Sequence, residues 1–222
     1  MQSIIPSVIA WLTLCVLASP QEKPRELRGD GHLLGETAEQ FFSEGFLGDI
    51  LRACEARDWK AVNQLSNHVV HASKSDAKDY CANTKLARQE ATSGIRLEYA
   101  GRGDGEAMRA DIFTFEAGHL VRINMVYSAP AANVEGYHPK SYSELFEGLH
   151  EAYGPPSKSY SEPMLSAYGV KYEAHRALWM GNADVISIIE QPREAGRTEI
   201  IAETLAEYNR AAQEPKIANP LR

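Results

Sequence analysis

The spacing of apolar residues changes period at Gly94, and that change constrains the fold more than any other feature of the chain. Before it, Ile50, Leu51 and Cys54, then Trp59, Val62, Leu65 and Val69, then Tyr80, Cys81, Thr84 and Ala87 recur at the spacing of one helix face. After it, Ile95, Leu97 and Tyr99 alternate with charged residues. Val121, Ile123, Met125 and Tyr127 then share one side of an extended run that turns Arg122 and Asn124 the other way. A helix must hide a stripe and a one-sided sheet must hide a face, so each can cover the other. The order predicts an α+β fold with helices packed on an antiparallel sheet that keeps one wet side.

Local punctuation places the elements. Thr37 with Gln40 fits a capping box, and Asp58 is a second N-cap. Strands over 108–115 and 119–127 are joined at Glu116-Ala117-Gly118, and Ser128 to Lys140, with Pro130, Gly136 and Pro139, reads as a linker. Ser141 with Glu144 opens a helix whose stripe is Tyr142, Leu145, Phe146, Leu149 and Tyr153, capped by Gly154 and stopped by Pro155-Pro156. Strand-like runs return at 170–173, 177–180, 185–190 and 197–202, and Thr204 with Glu207 opens a short terminal helix through Tyr208. The expected organisation is a flexible lead-in over 19–33, a helical section plus β-meander over 34–128, a helix with antiparallel strands and a short terminal helix over 141–210, and a loose tail over 211–222. Capped helix followed by a Gly-hinged strand pair occurs in both halves, which suggests two α-β-β repeats.

The first 18 residues read as an export signal. Ile4 to Ala18 is uncharged and mostly apolar, and as a helix it is about 22 Å long, short of a hydrocarbon core of about 30 Å. Val16-Leu17-Ala18 suits cleavage between Ala18 and Ser19, whereas lipid attachment at Cys15 is disfavoured by the large Leu14 before it. The mature chain would then be periplasmic or secreted, without a transmembrane span. It would carry only Cys54 and Cys81, which an oxidising compartment would pair as a disulfide.

The net charge of −7, with no Lys/Arg run longer than two, argues against nucleic acid as a partner. No nucleophile elbow, phosphate-binding Gly loop or Cys-x-x-Cys pair is present, so no catalytic residue, metal or cofactor is assigned. His68 and His71 lack a recognisable ligand spacing. Glu144, Glu147 and Glu151 follow one outer helix face, where solvent keeps carboxylates ordinary. The aromatics outside any apolar stripe are Tyr137, Tyr160 and Tyr168, placed in or near loops, and they are the candidate contact surface.

Leu34-Gly35-Glu36-Thr37-Ala38-Glu39-Gln40-Phe41, and Leu145 through Tyr153-Gly154-Pro155-Pro156, are similar to the helix-plus-turn pieces of small exported bacterial envelope domains. Those include the β-lactamase-inhibitor-like proteins and the SmpA/OmlA-type lipoproteins. The placing of Cys54, Cys81 and the tail Asn219-Pro220-Leu221 also resembles a group of uncharacterised exported bacterial proteins. The resemblance implies a helix-on-sheet domain that binds another exported or envelope protein and performs no catalysis. The alternative expectation is an exported hydrolase whose site is scattered along the chain. A buried cluster of carboxylates or histidines with shifted pKa values, set in a pocket, would favour it.

Overall fold

A computed structural model describes residues 27–29, 31–66, 74–100, 109–128, 140–165, 171–191 and 197–213. Four helices come first: α1 (Ala38–Ser43), α2 (Gly45–Glu55), α3 (Trp59–Ser66) and α4 (Lys74–Thr92). Strands β1 (Leu97–Ala100), β2 (Arg109–Glu116) and β3 (His119–Tyr127) follow, then α5 (Tyr142–Tyr153). The chain continues through β4 (Lys158–Leu165), β5 (Lys171–Met180), β6 (Asp184–Gln191), β7 (Arg197–Thr204) and α6 (Leu205–Gln213). All seven strands form one antiparallel sheet in the order β1-β2-β3-β7-β6-β5-β4, which establishes the α+β class.

The caps read from sequence are in place. Thr37 and Ser141 each accept from the backbone N–H three residues on, and Gln40 and Glu144 reach back to complete both boxes. Asp58 accepts from the Ala61 N–H at 3.0 Å. Gly154 ends α5 at φ +76°, where a side chain would be strained.

One face of the sheet carries the core. Rows such as Phe113, Ile123, Ala202, Ile186 and Trp179 run across successive strands, and α1, α2, α4 and α5 cover them. At its centre Phe41, Phe42, Phe113, Phe115 and Tyr99 meet largely edge to face, with ring centroids 4.8–6.2 Å apart. The opposite face mixes the buried Val126, Val185 and Ile201 with Arg122, Glu199 and Glu203, and is covered in part by α6, whose first N–H bonds to Ala183 at the β5–β6 turn.

Several expectations are corrected. Lys158–Leu165 is a strand, although its sequence lacks apolar alternation and contains Pro163; an edge strand tolerates both. The runs 170–173 and 177–180 merge into the single strand β5. A bulge at Thr114/Phe115 puts Leu120, rather than Val121, on the core face opposite Phe115. Residues 27–29 and 31–33, expected as part of a flexible lead-in, are docked: Gly29 and His32 form a bridge, and the buried His32 ring lies 3.9 Å from that of Phe41. The helix opened by Thr204 runs to Gln213, beyond Tyr208 and into the stretch expected as a loose tail.

The two halves share one sheet and repeat an order, but they are of opposite hand. The paths α4-β1-β2-β3 and α5-β4-β5-β6 approach β7 from opposite edges, yet both helices lie on the same face. A rotation that superposed the strand paths would carry one helix to the other face. The signal segment and its cleavage point at Ala18 and Ser19, Cys15, His68, His71, and the end of the tail lie outside the described residues.

Candidate functional site

Of the three candidate tyrosines, Tyr160 falls within the described residues; Tyr137 and Tyr168 lie outside them. Tyr160 was expected in or near a loop and stands instead in the middle of β4, the last strand of the sheet. It pairs with Arg176 of β5 and points to the face opposite the helical core, with 38% of its surface exposed. Lys158 Nζ sits 4.6 Å from its ring centroid, a cation–π contact. Arg176 Nε lies 3.2 Å from a carboxylate oxygen of Glu162, two residues along β4. A cavity of about 120 Å³ runs inward from this pair across Leu178, Ser187 and Ile189 to Tyr208 of α6. The result is an aromatic and charged rim around a shallow apolar floor.

The helix-covered face brings together three residues that sequence reasoning did not connect. Ser161 Oγ and His175 Nδ1 are 2.9 Å apart, and His175 Nε2 lies 3.9 Å from Glu190 Oε2. The His175 backbone N–H also donates to Glu190 at 3.4 Å, and the Tyr142 ring of α5 is 5.8 Å from the imidazole. Burial, then the nearby Glu190 charge, raises the Tyr142 pKa. Serine, imidazole and carboxylate in line can pass a proton along the row. Here, however, the carboxylate is beyond hydrogen-bond reach, and the imidazole is 52% exposed in an open setting that weakens every electrostatic term. Only the strand register could have revealed this row, because its members are 14 and 15 residues apart on three strands.

The two buried carboxylates with shifted pKa values, Glu203 and Glu207, lie at the β7–α6 junction, while the buried Asp111 and Glu199 pair with Arg109 and Arg197. Glu207, with its side chain 1% exposed, accepts from Arg96 at 2.8 and 3.2 Å and from Arg210 at 2.7 and 3.0 Å. Burial pushes its pKa upward, but the hydrogen bonds and charges of Arg210 and Arg96 outweigh that and hold it at about 2. Glu203 moves the opposite way: burial raises its pKa against the pull of Arg122, and the Glu207 charge adds to the rise. Thr204 caps α6 as expected, yet the Glu207 side chain serves the two arginines. The cluster thus fastens the terminal helix to the α4–β1 connection. Neither carboxylate lines the Tyr160 cavity, nor the second one of about 160 Å³ between Leu27, Leu33, Leu34, Asp184, Ile186 and Ala202.

Cys54 and Cys81 form a disulfide with Cα atoms 5.8 Å apart. Among the described residues no group of three or more His, Cys, Asp or Glu is placed to hold a metal ion, and no helix is long and apolar enough to cross a membrane. Glu144, Glu147 and Glu151 border a wide-open depression on the outer side of α5. No family model, curated protein or solved structure matches this chain.

Proposed function

We propose that the chain is an exported, non-catalytic protein-binding domain that engages another exported or envelope protein through the β4 side of its sheet. The observation that carries this reading is Tyr160: exposed on an edge strand, held under Lys158, and set at the mouth of a groove on the face the main helices leave open. Tyrosine in such a position offers large contact area at small entropic cost. The leader-like first 18 residues and the Cys54–Cys81 disulfide support export, to the periplasm or the medium. A photo-crosslinking residue placed at Tyr160, compared in the native host with one at the exposed Leu86 of α4, tests the contact. Discrete adducts from position 160 alone are expected; equal silence at both positions would overturn the reading.

One observation favours a hydrolase instead, the 2.9 Å contact between Ser161 and His175 with Glu190 beyond it. A fluorophosphonate probe decides the matter. The binding reading expects no labelling, and labelling that disappears in Ser161→Ala would replace it with the enzyme.

A further inference from the structure

Residues 158–162 of the edge strand read Lys-Ser-Tyr-Ser-Glu: Ser-Tyr-Ser is symmetric about Tyr160, and the residues flanking it carry opposite charge. We infer that β4 pairs antiparallel with β4 of a second copy of this chain, about a two-fold axis through Tyr160, to make one continuous sheet. The inference rests on the reading of the β4 side as a contact surface and names what sits on its edge.

The backbone sets the register. In an antiparallel pair, alternate residues direct both N–H and C=O at the neighbouring strand, and those between direct both away. The Gly181 N–H bonds toward β6, to the Asp184 carbonyl, and His175 shares its parity, with its own N–H on the Glu190 carboxylate, so the backbones of Ser161 and His175 are not hydrogen-bonded to each other. The Met180 N–H, of opposite parity, does point toward β4, where it meets Ser157 Oγ. Pro163 fits the same phase, because a proline in a strand must turn its missing N–H outward. Ser159 and Ser161 therefore direct their N–H and C=O groups out of the edge. Among the described residues no strand lies beyond β4 to receive them.

Pairing Ser159 with Ser161 of a second copy, and the reverse, satisfies both outward positions at once. The same register sets Tyr160 against its own copy. It also places Lys158 opposite Glu162, twice, on one face of the sheet. Cross-strand aromatic and opposite-charge pairs are the arrangements that stabilise a ladder, and an isologous interface requires such self-complementarity. Lys and Pro on an edge also discourage unwanted pairing. Here Pro163 closes the edge to longer strands, and Lys158 is answered by Glu162 in this one register. The contact is short beside a standard interface of about 1,600 Å², so a concentration-dependent dimer is expected, with a dissociation constant of about 10–500 μM.

Sedimentation velocity on the purified exported protein over that range tests the pairing. The expected result is a rise from monomer toward dimer. Lys158→Glu or Glu162→Lys alone should weaken dimerisation at least about tenfold by opposing like charges, and the double exchange should restore it to within about threefold. Ser161→Pro should abolish it while leaving the β4–β5 ladder its bonds. Under mild oxidation Tyr160→Cys should give a peptide linked to its own copy at position 160, since directly opposed residues in this phase lie about 4.5 Å apart. Met180→Cys, 50% exposed on β5, should not. A monomer throughout, or charge variants that fail to rescue one another, overturns the pairing. If position 160 then crosslinks to a different protein in the host, the binding reading stands without the dimer; if it crosslinks to nothing, both fall.

Discussion

Two apolar clusters hold the described residues, and they are built on different terms. The larger spreads over the sheet, where Phe113, Phe115, Leu120, Ile123 and Ile188 are almost completely buried beneath Phe41, Phe42, Leu145 and Leu149. The smaller is Ile50, Cys54, Val62, Ala77 and Cys81, closed among α2, α3 and α4 with no strand beneath it. Two helices serve both. Leu47 and Leu51 of α2 face the sheet while Ile50 and Cys54 face α3; Ala77 and Cys81 of α4 fill the small cluster while Ala87 and Ala91 reach the large one. The sheet supplies a flat, hydrogen-bonded surface to bury against. The satellite has only helix sides, and its covalent bond sits where a larger lobe would have more side chains.

The widest separation between the two should come from the large cluster. Phe115→Ala removes a fully buried ring from the middle of the aromatic group and should cost about 3–5 kcal/mol, read from urea or thermal unfolding. Because strands and helices meet there, the loss should be global, with β3 and β7 amides exchanging faster along with those of every helix. Protection that falls in α2 to α4 alone would show that the sheet does not depend on this packing.

Reducing the Cys54–Cys81 bond comes next. The cysteines are 27 positions apart, and releasing that loop should cost about 3–4 kcal/mol in the chain-entropy account. Amides of α3 and the first half of α4 should lose protection while those of β3, β6 and β7 keep theirs. Uniform loss would mean that the satellite and the sheet are one cooperative unit.

Glu207→Gln tests the polar fastening behind the sheet and should cost about 2–3 kcal/mol at neutral pH, since two guanidinium groups lose a buried anion. The sign with pH follows from the depressed pKa. Glu207 titrates at about 2 folded against 4.5 ordinarily, so its contribution is complete above about 4.5 and is lost as pH falls toward about 2. The gap between wild type and variant should close over that interval. Glu203, raised by burial, acts oppositely. Its favourable contribution is present below the ordinary carboxylate range and is lost as pH rises through its folded value, so Glu203→Gln should not destabilise at pH 7.

Capped helices were legible because each cap is a local event: Thr37 with Gln40 and Ser141 with Glu144 are complete within four residues. The β2–β3 hairpin was legible through Ala117-Gly118, which turn at φ +50° and +80°. Strand β4 was not, since an edge strand with a polar outer face needs no apolar alternation. The bulge that exchanges Leu120 for Val121 is decided between strands. The same reason hid the Ser161, His175 and Glu190 row, and the partnership of Arg96 with Glu207 across 111 residues. Pairing across a sheet has no short-range signature. Of the candidate contact surface, residue type alone picked out Tyr160, while its neighbours Lys158, Arg176 and Tyr208 had to wait for the register.

The smallest effect separates what is local from what the large cluster contributes. Ser141 accepts the Glu144 N–H at 3.2 Å, and Glu144 returns to the Ser141 N–H at 2.7 Å, both at the solvent-exposed start of α5. Ser141→Ala should cost about 1 kcal/mol through the unsatisfied first turn. The rest of α5 is held by Leu145 and Leu149 in the core, by Phe146 against Trp179, and by the Trp179 indole N–H donating to the Gly154 carbonyl at 2.8 Å. With the far end pinned and the middle buried, the variant should fray only at its N-terminus. Proton exchange should rise at residues 143–145 and stay unchanged from Leu149 onward. A loss that spread along the whole helix would mean that the cap, rather than the sheet, decides whether α5 forms.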